Sequence, residues 1–189
     1  FFFFYNLKYS IWDNFEDLTY PPVDICPAEV ITDIKKYLND FDGRLVIGRA
    51  QFDYHFSPKQ NNHIVITGGL LEEMFSGYGF EYLYFDNDKD YAYGFEVFDV
   101  VKRDYEMRFG TLDYKNTVGS FNFHFRNKKI IPFDAKISVG EYLAGDLGGT
   151  FEVSRTFENG TSFGGFFTLT NVSTKEFGEG SFDKGVYFN

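Results

Sequence analysis

Paired carboxylates are the groups in this sequence with the clearest chemical potential. Glu72 and Glu73 are adjacent, and Asp146 with Glu179 is a second conceivable pair. Two carboxylates about 5 to 9.5 Å apart across a sugar can hydrolyse a glycosidic bond, one as the acid and the other as nucleophile or base. Neither pair lies in a catalytic motif, and acidic residues are abundant along the whole chain. The sequence therefore favours a protein that is not an enzyme.

The segment 86–90 begins like a calcium-binding loop. Tyr91 stands where such a loop requires glycine, and Val97 stands where it requires a bidentate glutamate. A solvated turn between two strands is the better interpretation.

Other metal ligands lack a suitable spacing. His55, His63 and His124 lie on separate segments, and Cys26 is the only cysteine. The sequence predicts no metal site, no cofactor and no internal disulfide framework.

Strands must position any functional group in most of this chain. In the segment Ser120–Asn127, phenylalanines at 121, 123 and 125 alternate with Asn122, His124 and Arg126. Successive side chains of a strand point to opposite faces, so this segment has one aromatic and one polar face.

The same alternation recurs from residue 44 onward, broken by turn residues. The predicted strands are Leu45–Ser57, His63–Phe75, Tyr78–Phe85, Tyr91–Lys102, Val118–Arg126, Ile131–Leu143, Thr150–Phe157 and Ser162–Asn171, with another beginning near Gly185. Asn159-Gly160 predicts a type I′ hairpin turn, because both residues readily take positive φ. Arg155 and Phe166 break the alternation, which requires a bulge, a rim position or a different register.

Residues 1–43 predict a different organisation from residues 44–189. A strand-like start is followed by an acidic, proline-containing stretch and then by one amphipathic helix. The apolar positions of the helix recur at spacings of three and four residues: Val30, Ile31, Ile34, Leu38 and Phe41. Asp42-Gly43 supplies a C-terminal stop.

The aromatic content indicates whether the aromatic face is turned toward lipid or toward a protein core. Aromatic residues make up 22% of the chain, which is unusual for a soluble domain, and no apolar run is long enough for a transmembrane helix. We expect an antiparallel, transmembrane-type β-barrel of about eight to ten strands in this fragment of a longer protein, with a polar lumen. The predicted lipid-facing residues are Tyr93, Phe95, Phe121, Phe123, Phe125, Ile137, Phe163 and Phe167. A soluble β-sandwich or lipocalin-like ligand-binding barrel is the alternative.

Charge excludes one class of partner. The net charge is -10 and the isoelectric point is near 4.7, without a basic patch, so nucleic acid and anionic membrane surfaces are not the expected partners.

Four long segments resemble one protein family when taken together and in order. They are GLLEEMFSGYGFEYLY (69–84), KRDYEMRFG (102–110), SVGEYLAGDLGGTFEVSRTFENG (138–160) and FGEGSFDKG (177–185). This chain is similar in them to the YjbH/GfcD family of bacterial exopolysaccharide and capsule outer-membrane proteins. The resemblance implies a non-catalytic outer-membrane β-barrel of a Gram-negative bacterium that moves or presents the polymer. The implied partners are outer-membrane lipid, the exopolysaccharide and other proteins of the exopolysaccharide operon.

Charged residues of these segments and of the neighbouring polar face form the candidate site. They are Glu73, Glu81, Arg103, Asp104, Arg108, His124, Arg126, Asp146, Arg155, Glu179 and Asp183. Two interpretations stay open: they pair with one another inside the lumen or at its rim, or they line a polar track for a sugar polymer on which Tyr142 or other rings stack. Arginine and carboxylate groups hydrogen-bond hydroxyls in pairs, which makes such a track chemically reasonable.

Overall fold

Ten antiparallel strands form a single sheet in chain order. The computed structural model describes residues 1–11, 34–38, 43–129, 131–172 and 183–189. The strands are β1 (Phe2–Tyr9), β2 (Leu45–Lys59), β3 (Asn62–Leu70), β4 (Phe75–Phe85), β5 (Tyr91–Arg103), β6 (Thr111–Asn127), β7 (Phe133–Glu141), β8 (Leu147–Thr156), β9 (Ser162–Thr170) and β10 (Lys184–Phe188). Each strand pairs with its neighbours in sequence, and β1 and β10 are the two edges of an open sheet in this part of the chain. The all-β antiparallel prediction is confirmed; the sheet is open among the described residues, so the barrel stays a prediction.

Every predicted strand exists, and the two largest boundary errors are at the end of β3 and the start of β6. The strand predicted over 63–75 ends at Leu70, because the amides of Leu71 and Glu72 both turn back to the Phe75 carbonyl at 3.1 Å. β6 begins at Thr111 and not at Val118. Its first half carries charged and polar residues on the face that is aromatic further along, so the expected alternation is hidden there.

The hairpin between β8 and β9 differs in type from the prediction. Gly160 has a φ of 86°, whereas Asn159 is not among the residues with positive φ. The Gly160 amide donates to the Phe157 carbonyl at 2.9 Å, and the Phe157 amide donates to Thr161 at 2.8 Å. These bonds define a three-residue loop, a type I turn followed by a left-handed glycine, and not a type I′ turn.

The strand pairings place the aromatic and polar residues on opposite faces, as predicted. On one face of β5 and β6, Tyr93 lies opposite Phe123 and Phe95 lies opposite Phe121. On the other face, Gly94 lies opposite Asn122 and Glu96 opposite Ser120. We call these the aromatic face and the polar face. All eight predicted lipid-facing residues lie on the aromatic face, since Ile137 pairs with Phe123, Phe163 with Arg155 and Phe167 with Phe151.

Arg155 and Phe166 keep their exceptional positions without a bulge. The pairing of β8 with β9 runs without a shift from Gly148 to Thr156. Arg155 therefore lies on the aromatic face near the end of β8, with its guanidinium 4.9 Å from the Phe157 ring centre. Phe166 lies on the polar face opposite Glu152.

A small hydrophobic core closes one end of the sheet. The helix α1 (Ile34–Leu38) lies there, and the core consists of Tyr37, Val46, Met74, Phe75, Val100 and Met107. The Tyr37 hydroxyl donates to the Arg103 carbonyl at 2.5 Å, and its ring meets Tyr105 edge-on. We call this region, with the turns 71–74 and 104–110, the capped end. The remainder of the predicted helix and the acidic proline-containing stretch lie outside the described residues.

Neither a spanning helix nor a second sheet occurs in the described part of the chain. No helix there is both long and apolar enough to cross a bilayer. All ten strands belong to one sheet. A two-sheet sandwich, one of the two soluble alternatives, is therefore not the architecture of these residues.

Candidate functional site

Rows of hydrogen-bonding side chains run across the polar face from strand to strand. Because the strands are in register, residues of adjacent strands meet side by side. The main members of the rows are Gln51, Asp53, Thr67, Glu81, Glu96, Ser120, Asn122, His124, Arg126, Asp134, Lys136, Ser138, Thr150, Glu152 and Thr168.

One row begins on β2 and ends on β3. The Arg49 Nε donates to the Gln51 Oε1 at 2.8 Å, and the Gln51 Nε2 donates to the Asp53 Oδ1 at 2.6 Å. Thr67 donates to the same Asp53 oxygen at 2.9 Å. Asp53 and Thr67 are buried, and the hydrogen bond between them gives the Thr67 hydroxyl and the Asp53 carboxylate a partner.

A second row connects β5, β6 and β7. The Ser120 hydroxyl donates to Glu96 at 2.7 Å, Asn122 donates to Ser120 at 2.9 Å, and Ser138 donates to Asn122 at 2.6 Å. A third row continues into β8 and β9, where the hydroxyls of Tyr142, Thr150 and Thr168 are linked at 2.6 and 2.9 Å. Such connected groups hold one another in fixed orientations.

The sheet curves around a cleft of about 530 Å³ on the polar face. Gln51 of β2 and Thr150 of β8 both line this cleft. Neighbouring strands are about 4.8 Å apart, so strands this far apart in a flat sheet would not share one cavity. The charged lining residues are four carboxylates and two cationic side chains: Glu72, Glu81, Glu96, Glu141, Arg49 and Lys136. The cleft is therefore acidic.

A second cavity of about 490 Å³ lies near the end of the sheet opposite the capped end. Arg126 and Asp134, which face each other on β6 and β7, form an ion pair at 2.5 Å beside it. Lys128 and Asp90, which also line this cavity, are 3.6 Å apart. Cationic residues are more frequent here than in the larger cleft, but most have an acidic neighbour.

The predicted site residues do not form one cluster. Glu81, His124 and Arg126 lie on the polar face. Five others lie at or beside the capped end: Glu73, Arg103, Asp104, Arg108 and Asp146. Arg155 is on the aromatic face, which corrects its assignment to the lumen, because the regular pairing of β8 fixes its side. Asp183 accepts the Thr168 amide at 2.8 Å through its backbone, and Glu179 lies outside the described residues.

Arg103 is a structural residue of the capped end. Its side chain is fully buried, and its guanidinium donates to the carbonyls of Glu72 at 2.6 Å, Ile47 at 2.8 Å and Arg108 at 2.9 Å. These carbonyls belong to three separate parts of the chain. One planar group with several donors thus ties β2, the turn 71–74 and the turn 104–110 together.

Glu72 and Glu73 occupy different environments, because Glu72 lines the large cleft whereas Glu73 bonds to Lys8. In the cleft, partial removal from water and then the neighbouring Glu73 charge raise the pKa of Glu72, against the effect of Arg103. For Glu73, burial acts to raise the pKa, but the hydrogen bond from Lys8 and further favourable contacts lower it overall. Glu73 therefore fastens the edge strand β1 to the turn 71–74.

Several residues of the polar face are not marked by any motif in the sequence. Arg49, Gln51, Asp53 and Thr67 line or support the cleft, and none lies in a charged cluster of the sequence. The signal that could have found them is the alternation of 51, 53 and 55 with Phe52, Tyr54 and Phe56 on β2.

The fold and its two faces define an all-β protein with one curved antiparallel sheet, an exposed aromatic surface and an acidic polar cleft. A family model described as "YjbH: Exopolysaccharide biosynthesis protein YbjH" matches residues 1–189. The chain belongs to this exopolysaccharide biosynthesis family, which confirms the resemblance in the sequence.

The chain is similar to a protein of Escherichia coli (strain K12), "Uncharacterized lipoprotein YjbH". It is 36% identical over 190 aligned residues, which cover 96% of this chain and 26% of the relative. The chain thus spans about a quarter of the length of that protein. No solved structure matches the chain.

Proposed function

We propose that this chain forms part of the wall of an outer-membrane β-barrel that takes part, without catalysis, in exopolysaccharide export or assembly. The observation that carries the proposal is the combination of an exposed aromatic face with a polar, cleft-forming face in one sheet. Membership of an exopolysaccharide biosynthesis family supports an exopolysaccharide as the polymer.

The aromatic face supports a lipid environment. Phe121, Phe163 and Leu169 are each more than half exposed, and they belong to a surface that continues over neighbouring strands. Soluble monomers rarely expose contiguous apolar patches larger than a few hundred Å². Lipid contact on this face gives these side chains an apolar surrounding without a second protein layer.

Strand length and strand order also fit a membrane barrel. β4, β7, β8 and β9 have 11, 9, 10 and 9 residues, and a tilted strand needs about 9 to 11 to cross a bilayer. Because lipid offers no hydrogen bonds to exposed sheet edges, a barrel requires that β1 and β10 be paired. They would pair with each other or with strands of the longer protein.

The polar face is the surface that we assign to the polymer. Its carboxylates, amides and hydroxyls match the hydrogen-bonding groups of a saccharide, and its rows run from strand to strand across the cleft. Outer-membrane lipid, the exopolysaccharide and other proteins of the exopolysaccharide operon are the proposed partners.

A non-catalytic role agrees with the carboxylate geometry. Glu73 is engaged by Lys8 outside the cleft, which leaves Glu72 without an adjacent catalytic partner there. Glu81 and Glu96 do lie opposite each other in the cleft, so they are the pair to test.

The test combines membrane extraction with a polymer assay. We expect the full-length protein to sediment with outer membranes, to require detergent for extraction and to migrate differently on gels with and without heating. Deletion should reduce the polymer outside the cell, while a Glu81→Gln, Glu96→Gln double variant should leave polymer chain length unchanged. Full solubility without detergent would contradict the barrel, and longer polymer in the double variant would contradict the non-catalytic role.

A further inference from the structure

Phe98 is an aromatic side chain of the polar face that lines the large cleft. It pairs with Gly79 across β4 and β5. A Cβ atom added to Gly79 would lie only 2.1 Å from the Phe98 Cδ1 and 2.5 Å from its Cγ. The ring therefore occupies the space that any other residue at 79 would need. Glycine is required there because the ring rests directly on the backbone.

Phe98 lines the cleft and also packs against the small hydrophobic core. Its ring lies against the Gly79 backbone. Toward the capped end, its neighbour on this face is the buried Val100; in the other direction it is Glu96. Phe98 thus lies at the border between the small hydrophobic core and the hydrogen-bonding rows.

Saccharide recognition needs an aromatic ring surface and hydrogen-bonding groups beside it, and this border offers both. The C–H groups on one side of a sugar ring carry partial positive charge and pack on the negative face of an aromatic ring, while the hydroxyls project at the ring edge. Glu96, which receives one hydrogen bond from Ser120, retains further acceptor sites, and Glu81 lies directly opposite it. The cleft volume of about 530 Å³ is also that of an ordinary small-molecule site, about 300 to 1,000 Å³.

The charges of the cleft determine which sugars fit. Four carboxylates against two cationic side chains repel an acidic ligand more than they attract it. Like charges brought together in a confined site oppose binding, which is a common source of specificity.

We propose that Phe98, lying over Gly79, is the stacking platform of a saccharide subsite, and that the cleft carboxylates select neutral or amino sugars over uronic acids. This inference rests on the proposed function and adds a subsite and a sugar class to it.

The experiment uses the full-length protein in detergent micelles and three fluorescently labelled hexasaccharides as probes. They are a neutral glucose oligomer, a glucosamine oligomer and a galacturonic acid oligomer. We expect the first two to bind at least tenfold more tightly than the third. Phe98→Leu should weaken binding of the neutral oligomer roughly fivefold, the size of one lost stacking contact, and Phe98→Tyr should restore most of it.

Matched variants separate the subsite from general effects. Phe121→Leu makes the same change on the aromatic face and should leave binding unchanged. Glu96→Gln keeps a hydrogen-bonding group but removes a charge, so it should narrow the gap between the neutral and the acidic oligomer.

Three results would overturn the subsite: equal binding by wild type and Phe98→Leu, equal binding of the acidic and neutral oligomers, or binding of none of the three. Heat-dependent gel migration and lipid contact do not depend on Phe98. If the wild-type protein passes those two tests but shows any of the three results, the subsite fails and the proposed function stands.

Discussion

The capped end and the aromatic face use the same residue types in opposite environments. Phe75 and Val46 at the capped end are each 1% exposed, whereas Phe123 and Val139 on the aromatic face are 38% and 58% exposed. At the capped end, α1 and two turns supply a protein surface against which apolar groups pack. The aromatic face has no such cover among the described residues, so its apolar groups need a different apolar surrounding. This sheet therefore has a local core at one end and an outward-facing apolar surface elsewhere.

The largest expected effect lies at the capped end. Arg103→Met removes the donors to three carbonyls in a buried site, and each unsatisfied group costs about 1 to 3 kcal/mol. We expect the free energy of unfolding to fall by about 3 to 5 kcal/mol, measured by urea titration of the protein in detergent.

Arg108→Met is the matched control for this variant. The Arg108 side chain is exposed and only its backbone carbonyl accepts from Arg103, so its loss should cost less than about 0.5 kcal/mol. Equal effects of the two variants would show that Arg103 does not hold the capped end together.

The next effect concerns the aromatic face. Phe123→Lys places a charge among groups that we assign to lipid, and it should destabilise the folded protein by about 2 to 4 kcal/mol if the position is near the bilayer midplane. Refolding into lipid vesicles from urea measures this free energy. His124→Lys changes the adjacent residue on the polar face and should cost clearly less. A larger loss at 124 than at 123 would reverse the assignment of the faces.

A smaller effect is expected at the β8–β9 hairpin, far from the capped end. Gly160 has a φ of 86°, so Gly160→Val forces a β-branched side chain into the left-handed region and should cost more than about 1 kcal/mol. Gly160→Asn is the control, because asparagine tolerates this conformation, as Asn61 does in the β2–β3 turn with a φ of 64°. An unchanged urea midpoint for Gly160→Val would rule out a strained turn.

The smallest effect concerns the contact that fastens β1 to the capped end. Exposed ion pairs contribute about 0.2 to 1 kcal/mol, so Glu73→Gln should reduce stability at pH 7 by no more than that. The pKa of Glu73 is lowered in the folded protein, so its contribution is present above the unfolded value of 4.5 and is lost as pH falls through the folded pKa. The difference between wild type and Glu73→Gln should therefore shrink during acid titration, and a difference that grows on acidification would contradict the contact.

The sequence predicts the strands and their faces far better than it predicts contacts between residues that are distant in the chain. The alternation around Phe121 and Phe123 is a local property of the chain, so it predicted the faces of residues 121–126 correctly. The role of Arg103 depends on carbonyls of β2 and two turns that are distant in sequence, and no local pattern contains that information. Phe98 was hidden for the same reason, because its contact with Gly79 arises only from the register of β4 with β5.

The sequence alone indicated the family, because the resemblance extends over long segments. The grouping of the charged residues in space is visible only in the fold. The charged residues of those segments looked like one site, yet Arg103 and Asp146 are buried at or near the turns, and Arg155 is on the other face. The cleft instead uses Gln51 and Thr67 from an unremarkable strand pair. Side chains separated in the sequence meet here through curvature, which composition and spacing do not encode.

The central claim, that the aromatic face contacts lipid, is tested most directly by tryptophan fluorescence at two adjacent positions. In a tryptophan-free background that includes Trp12→Phe, the variants Phe123→Trp and His124→Trp are each reconstituted into vesicles with brominated acyl chains. Alternation along β6 sends these side chains to opposite faces. We expect brominated lipid to quench the tryptophan at 123 strongly and aqueous acrylamide to quench the one at 124. Lipid quenching at 124 alone, or at neither position, would contradict the claim.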